Sequence, residues 1–253
     1  MSKRNWLQIA VGLLFGGLMI GVAVFQFQEA NAKSLESTAV LAADSYLRAL
    51  EAVREVYTSE VVNRLEGSSV VVTHDYERYE HAVPLPATFT LSIADNLSPS
   101  IEGLGVRLYS EYPFPFRGEV EMDEFERAAF DVLAAKPDSF FSQVQGAGAD
   151  RVLRYARGDT MRAECVSCHN SHPESPKTDW EVGDLRGVLA ISFPLRSYDQ
   201  AAREARRPYT MLLLLALLGL LGAFVMLVQH LPRLPRLPRL VLPERPTTRE
   251  NRK

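Results

Sequence analysis

Two apolar stretches of membrane length bracket everything else in this chain. Residues 6–27 are apolar apart from Gln8 and Gln26, and residues 209–229 have at their heart the charge-free run MLLLLALLGLLGAFVMLV. About twenty consecutive apolar residues suffice to cross the hydrocarbon core of a bilayer as a helix. Two such spans place the residues between them on one side of the membrane and both ends on the other. Charge says which side is which. Residues 28–207 hold 19 Lys+Arg against 29 Asp+Glu, a net of −10, whereas the two ends hold 9 Lys+Arg against 2 Glu, a net of +7. The positive-inside bias then predicts a cytoplasmic N-terminus (1–5), a cytoplasmic tail (230–253) and an exported middle. Ala30-Asn31-Ala32 has the form of a signal-peptidase site. The apolar core before it is long for a signal peptide, so residues 6–27 are read as an uncleaved anchor.

Both cysteines of the chain fall in one pentapeptide, Cys165-Val166-Ser167-Cys168-His169. C-x-x-C-H is the attachment signature of a c-type haem. Two thiols three residues apart reach the two vinyl groups of one porphyrin, and the next residue, His169, supplies an axial imidazole to the iron. Two other readings stand beside it. A bare C-x-x-C serves as a redox dithiol, usually opening a helix after a strand, and no such pattern is read before it here. Cys165, Cys168 and His172 also offer three zinc ligands, but a structural site needs a fourth, and His169 is badly placed to share the metal. One covalent haem c implies attachment outside a bacterial cytoplasm. It therefore agrees with the predicted export and points to a bacterial inner-membrane protein with its middle in the periplasm.

Along the chain, residues 34–66 lack Gly and Pro and carry apolar residues at helical spacing (Val40, Leu41, Ala43, Leu47, Leu50, Val53, Val56, Tyr57, Val61, Leu65), which predicts a linker helix over 28–66 closed by Gly67. Its stripe is expected to pack in a dimer seam or against the domain. Residues 67–196 read as one α+β domain: short strands at 70–73, 104–111, 151–157 and 187–194, a helix from the Asp123 cap to about Lys136, and a turn at Gly146-Ala147-Gly148. Residues 87–94 fit either helix or strand, and Tyr112-Pro113-Phe114-Pro115-Phe116 is an extended aromatic connector. The cysteine motif is then an insertion between two strands of one sheet. A second linker helix (197–208) leads into the second span.

The runs CVSCHNSHPESPKTDWEVGDLRGVL, RLYSEYPFPFR and RYARGDTMRAE are similar to a family of bacterial periplasmic sensor domains that carry one c-type haem. The resemblance covers roughly residues 34–195. It implies a PAS-like antiparallel sheet domain, thioethers at Cys165 and Cys168, an iron ligand at His169, and a haem pocket shaped by residues 172–180. Family members stand in front of histidine kinases, nucleotide cyclases and chemoreceptors. Residues 230–253 leave no room for such a module, so a separate cytoplasmic output protein is the expected partner.

The sixth iron position stays open in the sequence. The candidates are His74, Met161, His81, Tyr57 or water, since imidazole and thioether are the usual sixth ligands. Lys177, Trp180 and Arg186 are candidate partners of the haem propionates, as cationic and N–H donors suit carboxylates. No Walker loop, H-E-x-x-H or G-x-S-x-G is present, so the chain is read as no enzyme. An exported domain at −10 speaks against nucleic-acid binding. Two functional readings remain. One is a haem-based sensor of redox state or a diatomic gas, signalling through its membrane helices. The other is a membrane-anchored electron-transfer cytochrome. Finally, residues 231–240 repeat Leu-Pro-Arg, which favours polyproline II and sets the arginines along one edge, suited to anionic lipid or to a docking partner.

Overall fold

The computed structural model describes residues 3–100, 103–118 and 121–230. The Leu-Pro-Arg repeat and the rest of the tail lie outside them. The chain divides into two units, Met1–Ala23 with Pro208–Lys253, and Val24–Arg207.

In the first unit the apolar stretches are helical. They belong to α1 (Lys3–Tyr57) and to α5 (Arg196–His230), and neither apolar window is buried within the chain. Both helices are long and apolar enough to cross a membrane. A Cβ placed on Gly12 would come within 2.7 Å of the Phe224 ring, so the absent side chain lets that ring approach the helix backbone.

The second unit is built on a four-stranded antiparallel sheet in the order β3 (Gly105–Tyr109), β6 (Leu185–Pro194), β5 (Val152–Thr160), β4 (Phe140–Gln145). Strand β6 is central, and its residues alternate between two cores. Leu189, Ile191 and Phe193 join Leu153 and Tyr155 of β5 against α1 and Ala94 of α2 (Pro86–Leu97). Val188 and Ala190 join Ala156 and Tyr109 against α3 (Glu124–Ala135). With both faces covered, β6 reads as a nearly continuous apolar run.

Helix α1 presents Ala39, Ala43, Leu47, Leu50 and Arg54 to the unit, all buried, at spacings of three and four. The two alanines allow its backbone close to the sheet. Leu41, Val53 and Val56, expected in the same stripe, lie on the solvent side. The helical winding does not stop at Tyr57. A π turn (Thr58–Val62) and a 3-10 turn (Asn63–Leu65) follow, and Gly67, at φ 77°, closes them as the sequence predicts.

Helix α3 starts as expected. The Asp123 carboxylate accepts from Glu126 N at 2.9 Å, and the Glu126 carboxylate accepts from Asp123 N at 3.2 Å, a reciprocal capping box. Residues 87–94 are helical, with Pro86 in the first turn of α2, where its missing N–H costs nothing. Two strands go beyond the sequence expectation. They are β4, and β2 (Ala82–Pro84), which pairs in parallel with β1 (Val71–Thr73).

Candidate functional site

Between the adjacent strands β5 and β6 lie helix α4 (Ala163–Ser171) and a loop that returns to the sheet. On an α-helix, residues three and four apart share a face. Cys165, Cys168 and His169 are therefore neighbours on one side of α4. Both cysteines are free thiols, Cys165 half-buried and Cys168 exposed. The sequence argument against a redox dithiol, that no strand precedes the motif, does not survive. Strand β5 ends at Thr160 and α4 begins at Ala163. Partial burial of the Cys168 sulfur, and then the neighbouring Cys165, push that thiol above its ordinary range, and what speaks for haem over a dithiol is the histidine that follows the second cysteine. Among the described residues, no group of three His, Cys, Asp or Glu side chains converges on a metal-sized point, which leaves the zinc reading without a site.

His169 faces an aromatic wall. The Phe114 ring meets the His169 imidazole edge-on at 5.3 Å and the His172 imidazole at 5.2 Å. Both histidines thus pack against Phe114. Burial, followed by the charge of Arg186, pushes His169 down to about 4, so the imidazole is neutral and its lone pair is free for a metal. Phe114 stacks on Phe116 at 5.3 Å, and Phe116 stacks on His74 at 4.1 Å with the planes only 3° apart. A chain of rings therefore brings His74 to the wall that His169 faces, although the two residues belong to distant parts of the sequence.

Among the described residues, the other sixth-ligand candidates do not join this chain of rings. Met161 is buried, and its backbone is fixed by bonds from its N–H to Asp184 O at 2.8 Å and from Gly183 N–H to its carbonyl at 2.9 Å. His81 is exposed. Tyr57 donates to Pro84 O at 2.8 Å and stacks on Phe89 at 4.1 Å, at the edge of an apolar concavity of about 410 Å³.

Of the three propionate candidates, Trp180 is buried and clamped to α4. The Asn170 side-chain amide donates to Trp180 O and accepts from Trp180 N, each at 2.9 Å. Lys177 lies over the Trp180 ring at 4.7 Å and is paired with Asp179 at 2.5 Å. Arg186 is close to the motif, near enough for Cys165 to act on its charge. It also donates to Asp159 of β5 from Nε at 3.1 Å. Asp159 in turn accepts from Arg54 of α1 at 2.5 and 3.2 Å. Burial alone would raise the Asp159 carboxyl, but the charges of Arg186 and Arg54 outweigh it and hold the group far below the ordinary carboxylate range. Two guanidiniums share this one carboxylate.

Sequence reasoning missed Phe114, Phe116 and Arg117 as site residues, and Asp159, Asn170 and Arg54 as their support. The signal for the first three was present in the connector Tyr112–Arg117, where aromatic rings alternate with proline and end on a cation.

The donor set fits a covalently held haem. Two free thiols and a neutral imidazole share one helix face, beside aromatic rings that shield an iron ligand from water and cations that suit carboxylates.

This chain belongs to the Tll0287-like family, which matches residues 31–194. Among solved structures it is similar to "Crystal structure of the cyanobacterial heme-protein Tll0287", at 19% identity and a TM-score of 0.40, over 59% of this chain and 93% of that one. No curated protein matches it.

Proposed function

We propose that this chain is a membrane-anchored haem c protein that senses redox state or a diatomic gas in the bacterial periplasm and signals through its membrane helices. The observation that carries the reading is the placement of Cys165, Cys168 and His169 on one face of α4, with Phe114 against His169. Membership of the Tll0287-like family, whose namesake is described as a heme-protein, supports it. So does the antiparallel sheet packed by helices on both faces, which suits a PAS-like domain. When bound, a haem supplies one-electron redox chemistry and an iron site for small ligands. The residues of the chain do the rest. Cys165 and Cys168 would hold the group covalently, and His169 would offer its neutral imidazole beside the Phe114 ring.

Signalling, in preference to plain electron transfer, is favoured by the route from the site into α1. Arg186 lies within electrostatic reach of Cys165, Asp159 joins Arg186 to Arg54, and Arg54 belongs to the helix that also carries the first apolar stretch. A shift at the site thus has a packed element to act on. The exposed Leu41, Val53 and Val56 of α1 suit a homodimer. The role is reporting and not catalysis.

The test is a haem stain after denaturing electrophoresis of protein matured with the haem c machinery. The stain should remain on the polypeptide and vanish when both cysteines are replaced by alanine. Haem extracted by acidic solvent, or never found, overturns the proposal. Carbon monoxide added to ferrous protein then separates the modes: a shifted spectrum means gas access, and an unchanged one means redox sensing or electron transfer.

A further inference from the structure

Arg117 is the residue at this site that nothing else explains. It closes the 3-10 turn Pro115–Arg117, whose next residue, Gly118, takes φ 69° and redirects the chain. The same turn sets Phe114 and Phe116 against His169 and His74. The guanidinium of Arg117 lies 5.9 Å from the centre of the Phe116 ring. Among the described residues it makes no ion pair with a carboxylate.

Its charged neighbour is another arginine. Strand β3 ends at Tyr109, opposite Val188 of β6, and the connector that follows is tied to the start of β6 by a bond from Ser110 Oγ to Arg186 O. This brings the connector past Arg186. Burial, and then the charge of Arg186, lower the affinity of Arg117 for its proton. Arg186 cannot be neutralised locally, because its carboxylate, Asp159, is already shared with Arg54. Among the described residues, Arg54 and Arg186 thus share the Asp159 carboxylate, and Arg117 stands near Arg186 with no carboxylate bonded to it. Like charges held together in partial burial are costly unless an anion joins them. A guanidinium pair presents planar forks that match a carboxylate.

We propose that Arg117 and Arg186 together form the seat for one carboxylate of the haem. The seat lies on the aromatic wall that faces His169, where Arg117 sits at the Phe116 ring and Arg186 is near Cys165. It takes the place the sequence offered to Lys177, whose ammonium is given to Asp179. The proposal rests on the haem reading above and adds to it a residue, a partner and an orientation: one carboxylate edge of the porphyrin points at the 115–118 turn.

The experiment uses the full-length, haem-loaded chain and reads the ferric-to-ferrous ratio at a fixed ambient potential near the parent midpoint. Arg117→Gln removes a cation from beside the haem and so favours the ferric state. The ratio should rise roughly tenfold, which for a one-electron couple is about 59 mV. Arg117→Lys keeps the charge and should shift it much less. Arg117→Met keeps the apolar stem over Phe116, should shift the ratio as Arg117→Gln does, and serves if the glutamine variant does not fold. An unchanged ratio in the charge-removing variants overturns the seat while leaving covalent haem standing. A parent without covalent haem defeats the haem reading, and the seat with it. Inorganic phosphate added to the parent should have no effect, since the seat is filled from within. A phosphate response in the parent that is lost in Arg117→Gln would assign the seat to a free anion and overturn the proposal.

Discussion

Arg54 and Asp159 are 105 residues apart in sequence and form a buried ion pair, each side chain 3% exposed. The pair ties α1 to β5, and Arg186 extends it to the motif helix. Buried pairs of this kind contribute modest net stability when intact, but breaking one leaves a charge stranded in low dielectric. Asp159 is therefore the residue through which the linker helix and the cofactor segment depend on one another.

Asp159→Asn should destabilise the protein by roughly 3–5 kcal/mol at neutral pH, because it leaves Arg54 and Arg186 buried without their shared carboxylate. The folded carboxyl sits well below its ordinary value of 3.8, so its contribution is fully present above that pH and is lost as pH falls through the folded value. Parent and variant denaturation curves should differ most near neutrality and converge only in strong acid. A difference at neutral pH of less than about 1 kcal/mol, the scale of an exposed pair, would show that the triad is not a buried support.

His169→Ala should keep the haem on the polypeptide, since both thioethers remain, yet change its visible spectrum by removing the imidazole. Added free imidazole should restore the parent spectrum in part. A variant spectrum identical to the parent would remove His169 from the iron.

Asn170→Ala deletes both bonds that hold the Trp180 backbone to α4. At about 0.5–1.5 kcal/mol each, the loss is modest for the whole unit but concentrated in one loop. Limited proteolysis should cut faster between His172 and Trp180, with little change elsewhere. Equal cutting rates in parent and variant would show that the loop is held by other contacts.

Reporter fusions at Ser142 and after the tail test the membrane arrangement that the charge distribution predicts. Ser142 should report export, and the tail should report the cytoplasm. A cytoplasmic signal at Ser142 is incompatible with periplasmic haem attachment.

What could be read from the residues depended on range. The motif, the two apolar stretches, the Asp123 cap and the strands at β3, β5 and β6 each announce themselves within a few residues. The run FFSQVQ of β4 does not. Phe140 is 52% exposed and stacks on Tyr155 of the neighbouring strand at 5.2 Å, so its pattern makes sense only beside β5. Arg117 and Asp159 were missed for the same reason. A lone cation after a proline turn and a lone carboxylate in a strand gain a role only when the sheet sets β6 beside the connector. His74 shows the same dependence on range: it is far from the motif in sequence, and a chain of rings brings it to the wall facing His169.

Thr160 and Leu185 are paired across β5 and β6, so the segment that carries both thiols leaves the sheet and returns to it at one point. The sheet therefore acts as a frame, and the segment as a cassette mounted on it. A cassette of this kind can lengthen, shorten or change its contents while strand register and both cores stay as they are. Among the described residues of the cassette only Met161 and Trp180 are buried, so it is held to the frame at few points while the sheet carries the packing.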